Sequence, residues 1–434
     1  MNRVAFATLG CKTNQYETDA LMDLFYQNRY EITDYDDLAD IYVINTCTVT
    51  HVGDKKSRQM IRRAKKNNPE AIVVVMGCYA QISPEEVKAI EGVDIVIGTD
   101  SRTHILEYIE SYRKGDKKTP LVVVDDIMTV HNFENMVLNR VKVHTRAFIK
   151  IQEGCNQYCS YCIIPYARGH VRSRSMKHII EEVETLSQKG YREFVLTGIH
   201  IGSYGVDLGE KRLIDLMEAL NQLEHVSRIR LGSIEPRLIT EAFIERLAPL
   251  EKVCDHFHLS LQSGSDSVLK RMNRRYSTDD YASAVSKLRK LYKNPAITTD
   301  LIAGFPGETE NEYAETEAFI ERIGFAEVHV FPFSKREGTP AATMPNQIPP
   351  NVKKSRADAL SQIASKMRHN YLMQYNQTHL SVLIEEEKAG FYIGHTCNYL
   401  KVKITSESHL DAGRIVNVQI HLNADFELVG EIIS

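Results

Sequence analysis

Over the first hundred residues, short apolar runs alternate with longer charged stretches whose apolar positions recur at helical spacing. The runs Val4 to Thr8, Ile41 to Ile44, Ile72 to Met76 and Ile95 to Ile97 predict strands, and Tyr16 to Gln27, Val52 to Asn67 and Pro84 to Ile90 predict helices between them. Strands alternating with helices predict a parallel sheet with crossover connections, in a unit spanning residues 1–110. Residues 111–143 hold Gly115 and Pro120, show no sustained period and predict a connection. Between 144 and 372 six strand candidates recur with helices between them: Phe148 to Gln152, Glu193 to Leu196, Arg228 to Ser233, His256 to Leu261, Ala296 to Ile302 and Glu327 to Phe331. Six such repeats predict an incomplete (β/α)6 barrel of the TIM type. Pro340, Pro345, Pro349 and Pro350 mark a boundary, and Asn351 to Tyr375 is helical in pattern. From 373 to 434 the pattern changes to short alternating strands at Ser381 to Ile384, Tyr399 to Ile404, Ile415 to Ile420 and Phe426 to Ile433, which predict a small antiparallel β-barrel. The fold class is therefore α/β in its first two units, with an all-β tail.

Composition adds little until charge is resolved along the chain. With 434 residues, 43% hydrophobic and 25% charged, the protein is in the ordinary globular range. Its net charge of −4 argues against a surface coated in positive charge, but not against local basic patches. The longest apolar stretches, such as Ala71 to Ala80, fall short of the ~20 residues that span a bilayer. The N-terminus makes no convincing signal peptide, so a cytoplasmic protein is expected. A reducing compartment turns the eight cysteines into candidates for metal binding or catalysis.

The string EGCNQYCSYCIIPYARG places Cys155, Cys159 and Cys162 in a C-x3-C-x2-C pattern directly after the first barrel strand. Three thiolates on one loop can converge on one metal centre. A structural zinc site wants four protein ligands, whereas a reactive centre keeps one position open. A 4Fe-4S cluster fits; the alternative is a zinc knuckle borrowing a remote His. The pattern, with Tyr161 just before its last Cys, resembles the radical S-adenosylmethionine (SAM) enzymes. The resemblance implies that the open iron chelates SAM, whose carbon-sulfur bond is then broken to give a 5′-deoxyadenosyl radical. It also implies that Tyr161 lies near the adenine.

Cys11, Cys47 and Cys78 each end an apolar run, VAFATLG, IYVINT and AIVVVMG. A parallel sheet carries all three to its C-terminal edge, where open α/β sheets bind ligands. Three thiolates there can hold a second cluster; the alternative is three buried small hydrophobes. TLGCKTNQYE, INTCTVT and VMGCYAQ, with LTGIHIGSYG, RLGSIEPRLIT, LSLQSGSDSVLKRMNRRYS, DLIAGFPGETENEY and HVFPFSKREGTPAA, resemble the methylthiotransferases over most of residues 1–345. These radical enzymes convert C–H into C–S–CH3. The likeness implies two 4Fe-4S clusters, on Cys11, Cys47 and Cys78 and on Cys155, Cys159 and Cys162, with no catalytic residue beyond these ligands. The terminal barrel resembles the family's OB-like TRAM domain, an RNA-binding module. Ser260 in LSLQSG departs from the family, where Pro is frequent. Gly198, Glu235 and Gln262 sit at strand ends on the face where such barrels place ligands, and are expected, with Tyr161, to contact SAM.

Members of the family act on adenosine 37 of tRNA carrying an isopentenyl or a threonylcarbamoyl group, or on an aspartate of a ribosomal protein. TLGCKTNQYET, NTCTVTHVGDKKSRQMIRRA, TGIHIGSYG and GHTCNYLKVKI resemble the threonylcarbamoyladenosine branch; the isopentenyl enzymes read more like YGCQMN and TGQNVNSYG. The resemblance implies as partners the tRNA anticodon stem-loop, SAM, an electron donor such as flavodoxin or ferredoxin, and a sulfur source, with no membrane. Basic runs agree with an RNA partner: Lys55, Lys56, Arg58, Arg62 and Arg63 lie on the second predicted helix, and Arg168 and Arg172 follow the clustered cysteines. A solvated face is the alternative reading of such a run. The terminal barrel has four Lys and Arg against eight Asp and Glu from Tyr375 onward, so RNA contact there would rest on aromatics such as Tyr392 or Tyr399. Cys254, His256 and His258 alternate on one strand, as metal ligands could or as a polar lining would; Cys397 has no sequence partner. The reading from another class is a zinc-containing RNA-binding protein without catalysis.

Overall fold

In a computed structural model of the protein, residues 2–48, 51–115, 119–138, 145–209, 211–406 and 408–433 are described. The expected boundary at 143/144 lies outside these residues. The first apolar runs form a six-stranded parallel sheet from β1 (Arg3–Thr8), β2 (Glu31–Thr33), β3 (Ile41–Thr46), β4 (Ile72–Gly77), β5 (Ile95–Ile97) and β6 (Leu121–Val123), in the order β2-β1-β3-β4-β5-β6. Every residue of β3 and β4 is buried. A strand covered on both faces reads as a continuous apolar run rather than an alternation, which is why IVVVMG is legible. The edge strands β2 and β6 have three residues each, too few to show a period. β6 pairs with β5 inside the segment expected to be a connection; that segment contributes to the first sheet.

The central unit contains β7 (Arg146–Glu153), β8 (Arg172–Ser173), β9 (Glu193–Gly198), β10 (Arg228–Leu231), β11 (His256–His258), β12 (Ala296–Ala303) and β13 (Glu327–Pro332). Sheets β10-β9-β7-β8 and β11-β12-β13 are joined by the parallel bridges Ile229 to Val253 and Ile234 to Leu259. The six parallel strands thus follow one another round an open arc, the partial (β/α)6 barrel. The two-residue β8 is antiparallel to β7.

The tail closes into a barrel of β14 (His379–Lys388), β15 (Phe391–Thr396), β16 (Lys401–Thr405), β17 (Ile415–Leu422) and β18 (Leu428–Ile432), ordered β14-β15-β16-β18-β17. β15 escaped the sequence pattern because Gly394 and His395 break its alternation. The barrel is not wholly antiparallel: β16 pairs with β18 in parallel, since β17 lies between them in sequence but beyond β18 in space.

Two buried ion clusters join these units. The helix α1 (Lys12–Gln27) packs against β7 through a face that carries Asn14, Glu17 and Thr18 as well as apolar residues. Glu17, with no exposure, meets Arg102 at 2.6 Å, Lys150 at 2.7 Å and Arg168 at 2.5 Å. Burial alone would raise its carboxyl, but the three cations outweigh burial and hold Glu17 well below the usual carboxylate range. At the other joint Glu193 pairs with Arg230 at 2.7 Å and Arg228 at 3.4 Å. Both arginines reach on into the terminal barrel, where Arg230 Nη1 donates to the Cys397 carbonyl at 2.7 Å and Arg228 Nη2 to the Ser381 carbonyl at 2.8 Å.

Removing one partner of a buried ion cluster leaves charges uncompensated, so Glu193→Ala is expected to cost about 3–5 kcal/mol, read by denaturant unfolding. Burial opposes and Arg230, Arg228 and Arg146 favour ionised Glu193, with a net lowering of its pKa. Its contribution is therefore present above its unfolded value of about 4.3 and lost as pH falls through the lower folded value. Glu193→Gln should accordingly flatten the acid limb of the stability profile, compared with wild type by melting between neutral and acidic pH.

Candidate active site

The loop after β7 delivers Cys155, Cys159 and Cys162, and its path requires glycine. Gly154 has φ +71°, and a Cβ there would lie 1.8 Å from the His170 carbonyl oxygen. The Cys155 amide donates to the Gly169 carbonyl at 3.0 Å and the Cys162 amide to the Cys159 carbonyl at 3.0 Å. Ser160 is tied on both sides, its amide to the Met272 carbonyl at 3.0 Å and its own carbonyl to the Ala341 amide at 2.7 Å. Arg274 Nη1 donates to Cys159 Sγ at 3.2 Å while its Nη2 pairs with Glu235 at 3.0 Å. Arg274, which in sequence is only one basic residue within a motif, thus places a nearly buried guanidinium against Cys159.

Cys11, Cys47 and Cys78 gather at the carboxyl ends of β1, β3 and β4. Cys11 caps α1, and Cys78 is the first residue of the short helix Cys78–Ile82. A Cβ on Gly10 (φ +103°) would lie 2.9 Å from Cys47 Sγ, so only glycine lets the Cys11 turn approach the second cysteine. Arg168 Nε donates to Cys78 Sγ at 3.2 Å and its Nη2 to Asn14 Oδ1 at 2.6 Å. Asn14 Oδ1 in turn accepts from Cys11 Sγ at 3.7 Å.

The chemistry of both donor sets fits iron-sulfur clusters. Burial, only partly opposed by Arg168, pushes the Cys78 thiol up to about 12; burial likewise pushes Cys155 to about 11 and Cys162 to about 12. Bare thiolates there are costly, and a cationic metal centre supplies the compensating charge. Among the described residues no three His, Cys, Asp or Glu side chains could hold a single metal ion. A cubane takes each thiolate on a different iron, so the sulfurs of a triad need not meet at one point.

Two cavities adjoin at Asp300, one touching Cys162 and the other Cys11. One, of about 320 Å³, is lined by Tyr161, Cys162, Gln262, Asp300, Phe331 and Phe333 among others. The other, of about 520 Å³, is lined by Cys11, Lys12, Gly198, His256, Asp300 and Tyr399 among others. Asp300 is common to both. The structure thus brings Tyr161 and Gln262 to one cavity and Gly198 to its neighbour, while Glu235 stands behind, within 3.4 Å of His200 Nε2 and paired with Arg274.

Other expected residues fall elsewhere. On the helix α2 (His51–Asn67), Lys55, Lys56, Arg62 and Arg63 are exposed, and Arg58 reaches Glu86 at 3.3 Å. Arg168 and Arg172 require correction as RNA contacts. Arg168 has no exposure and is consumed by Glu17, Glu153, Asn14 and Cys78; Arg172 is 2% exposed, with Nη1 donating to the Val130 carbonyl. Cys254, His256 and His258 form no metal site. Cys254 turns to Cys397, and His258 bonds Thr298 at 3.0 Å and Asp300 at 3.2 Å. Tyr392 is buried, and Tyr399 stacks on His256 with ring centroids 5.0 Å apart. Arg336, which had no sequence signal beyond its motif, ties the central unit to the Cys47 loop through Thr48 Oγ1 at 2.7 Å and Asp54 at 2.8 Å.

Comparison with known proteins agrees with this geometry. Residues 149–320 match the Radical SAM superfamily, and residues 3–98 match the uncharacterized protein family UPF0004. Threonylcarbamoyladenosine tRNA methylthiotransferase MtaB of Bacillus subtilis is 46% identical, covering 97% of this chain and 94% of that protein. The tRNA-2-methylthio-N(6)-dimethylallyladenosine synthase of Clostridium novyi is 35% identical, covering 99% and 96%. The radical SAM methyltransferase TsrM of Kitasatospora setae shares the fold at a TM-score of 0.57 and 14% identity, covering 79% of this chain and 74% of that one. One cysteine of each triad lines a cavity, and likeness over almost the whole length to enzymes of one class disfavours a non-catalytic RNA-binding protein: the chain belongs to the radical SAM methylthiotransferase family.

Proposed function

We propose that this enzyme places a methylthio group on carbon 2 of N6-threonylcarbamoyladenosine 37, near the anticodon of tRNA. The observation that carries the reading is the polar character of the cavity against Cys11, where Lys12, His256, His258, Asp300, Glu327 and His329 meet. A dimethylallyl group is a hydrocarbon and offers none of these groups a hydrogen bond. A threonylcarbamoyl group carries a carboxylate, a hydroxyl and a urea. The greater identity to the threonylcarbamoyladenosine enzyme supports the same choice.

Radical SAM enzymes work with a 4Fe-4S cluster and SAM, and these supply a carbon radical able to attack an unactivated C–H bond. Cys155, Cys159 and Cys162 are the residues to hold that cluster. Tyr161 and Gln262 line the apolar cavity suited to an adenine, with Gly198 and Glu235 on the adjoining strand ends. Cys11, Cys47 and Cys78 are the residues to hold a second 4Fe-4S cluster, with Arg168 donating to one sulfur. The substrate base occupies the cavity against Cys11, which requires it to leave its stack. Lys55, Lys56, Arg58, Arg62 and Arg63 present cations for the stem phosphates. Residues 1–110, with β6 added from the segment 111–143, support the second cluster; residues 144–372 carry the radical chemistry and residues 373–434 form an RNA-binding TRAM domain. An electron donor of the flavodoxin or ferredoxin class and a sulfur source complete the reaction in the cytoplasm; no described helix is long and apolar enough to cross a membrane.

The central test is nucleoside analysis of tRNA from a strain lacking the gene. Methylthio-threonylcarbamoyladenosine should vanish while the methylthio-isopentenyl nucleoside persists; an undiminished level of the former refutes the substrate. Anaerobically prepared protein should hold roughly eight irons, and Cys78→Ala or Cys159→Ala roughly four. An unchanged iron content in Cys78→Ala would remove the second cluster. Charge reversal at Lys55, Lys56 and Arg62 should weaken tRNA binding and flatten its salt dependence by a slope of about 0.7–0.9 for each phosphate no longer neutralised.

A further inference from the structure

Chemistry at carbon 2 of adenine does not itself require a cation beside Cys11, yet one is built there. Lys12 opens α1 and lines the larger cavity, with Nζ 5.8 Å from the centre of the Tyr399 ring. Two other cations face that ring, Arg230 at 4.8 Å and Arg146 at 5.0 Å. Each of those has carboxylate partners: Glu193 for Arg230, and Glu193 and Glu385 for Arg146. Among the described residues Lys12 has no carboxylate within ion-pair distance and donates no hydrogen bond.

A second observation marks the same place. His256 is 6% exposed, lines the cavity and lies under the Tyr399 ring at an interplanar angle of 25°. Its Nε2 is 3.2 Å from Thr298 Oγ1, and its Nδ1 is buried with no partner. Buried polar atoms are normally satisfied, so an unpaired nitrogen and an unpaired ammonium lining one cavity fit a ligand with polar oxygens. The acids of the cavity, Asp300 and Glu327, come from β12 and β13. Asp300 is already engaged by His258.

Resting on the substrate reading above, we propose that Lys12 pairs with the free carboxylate of the N6 substituent, and so selects the acid-bearing adenosine over a hydrocarbon-bearing or unmodified one. Threonine joined through its nitrogen keeps its carboxylate, while a dimethylallyl group offers nothing to an ammonium. The discrimination is strong because the wrong substituent both loses the pair and leaves Lys12 desolvated. Lys12 is a specificity residue: it touches the substituent and takes no part in bond changes at carbon 2.

The test measures binding of anticodon stem-loops to anaerobic, cluster-loaded enzyme with SAM. Three stem-loops differ only at the target base, which carries threonylcarbamoyladenosine, its methyl ester or plain adenosine. Wild type should prefer the free acid over the ester by roughly ten- to hundredfold, the range of a charged hydrogen bond. Lys12→Gln should abolish that preference by weakening the free-acid stem-loop alone, with the adenosine stem-loop bound no more weakly than by wild type, and Lys12→Arg should keep most of it. Equal wild-type binding of acid and ester overturns the proposal without any variant. So does a preference that survives Lys12→Gln, or an equal loss for all three stem-loops, which would mark a phosphate contact. If wild type still methylthiolates the threonylcarbamoyl stem-loop in these cases, only the Lys12 assignment falls. If it does not, the substrate reading falls with it.

Discussion

The carboxylate of Glu17 is the point on which the arrangement turns. It stands on the helix that Cys11 caps, yet its cations come from Arg102, from β7 and from the segment after the C-x3-C-x2-C loop. Arg168 completes the connection by touching Glu17, Glu153, Asn14 and Cys78 with one guanidinium. A buried ion cluster is a poor source of net stability, because desolvation offsets most of its attraction and apolar residues of similar size can do as well. What it provides is geometry: hydrogen bonds of fixed length and direction between two sheets, where an apolar contact would permit sliding. Two sulfur triads on separate sheets need that kind of registration.

The cavities divide the labour by polarity. The space beside Cys162 is walled by Phe331 and Phe333, with Tyr161 and Gln262 at its polar end, and suits a flat heterocycle. The space beside Cys11 is walled by charged and hydrogen-bonding groups and is open enough for a branched polar substituent. Asp300 stands where they meet, fixed by His258. The first cavity is built by the central unit alone, whereas the second takes walls from all three units: Cys11 and Lys12, the strand ends of the central unit, and Tyr399.

Much of this was legible in the chain. β3 and β4 announced themselves because strands buried on both faces are unbroken apolar runs, and the cysteines that end them fell on one edge by topology alone. The barrel strands and the C-x3-C-x2-C loop were equally plain. What escaped were features carried by pairing across long separations. β2, β6 and β15 are too short or too interrupted to show a period. Arg168 reads in sequence like Arg62, a basic residue near a motif, and only packing distinguishes a guanidinium that binds four buried groups from one that faces water. Lys12 stood within a recognised motif without a role, because its ring partner is nearly four hundred residues away.

Tyr399 belongs to the terminal barrel, a unit that by composition is acidic and by resemblance an accessory grip on RNA. Its ring instead forms a wall of the inner cavity, held there by His256, His395 and the flanking arginines. The barrel is therefore no interchangeable module. Exchanging the barrel would replace an inner wall of the cavity along with the outer surface.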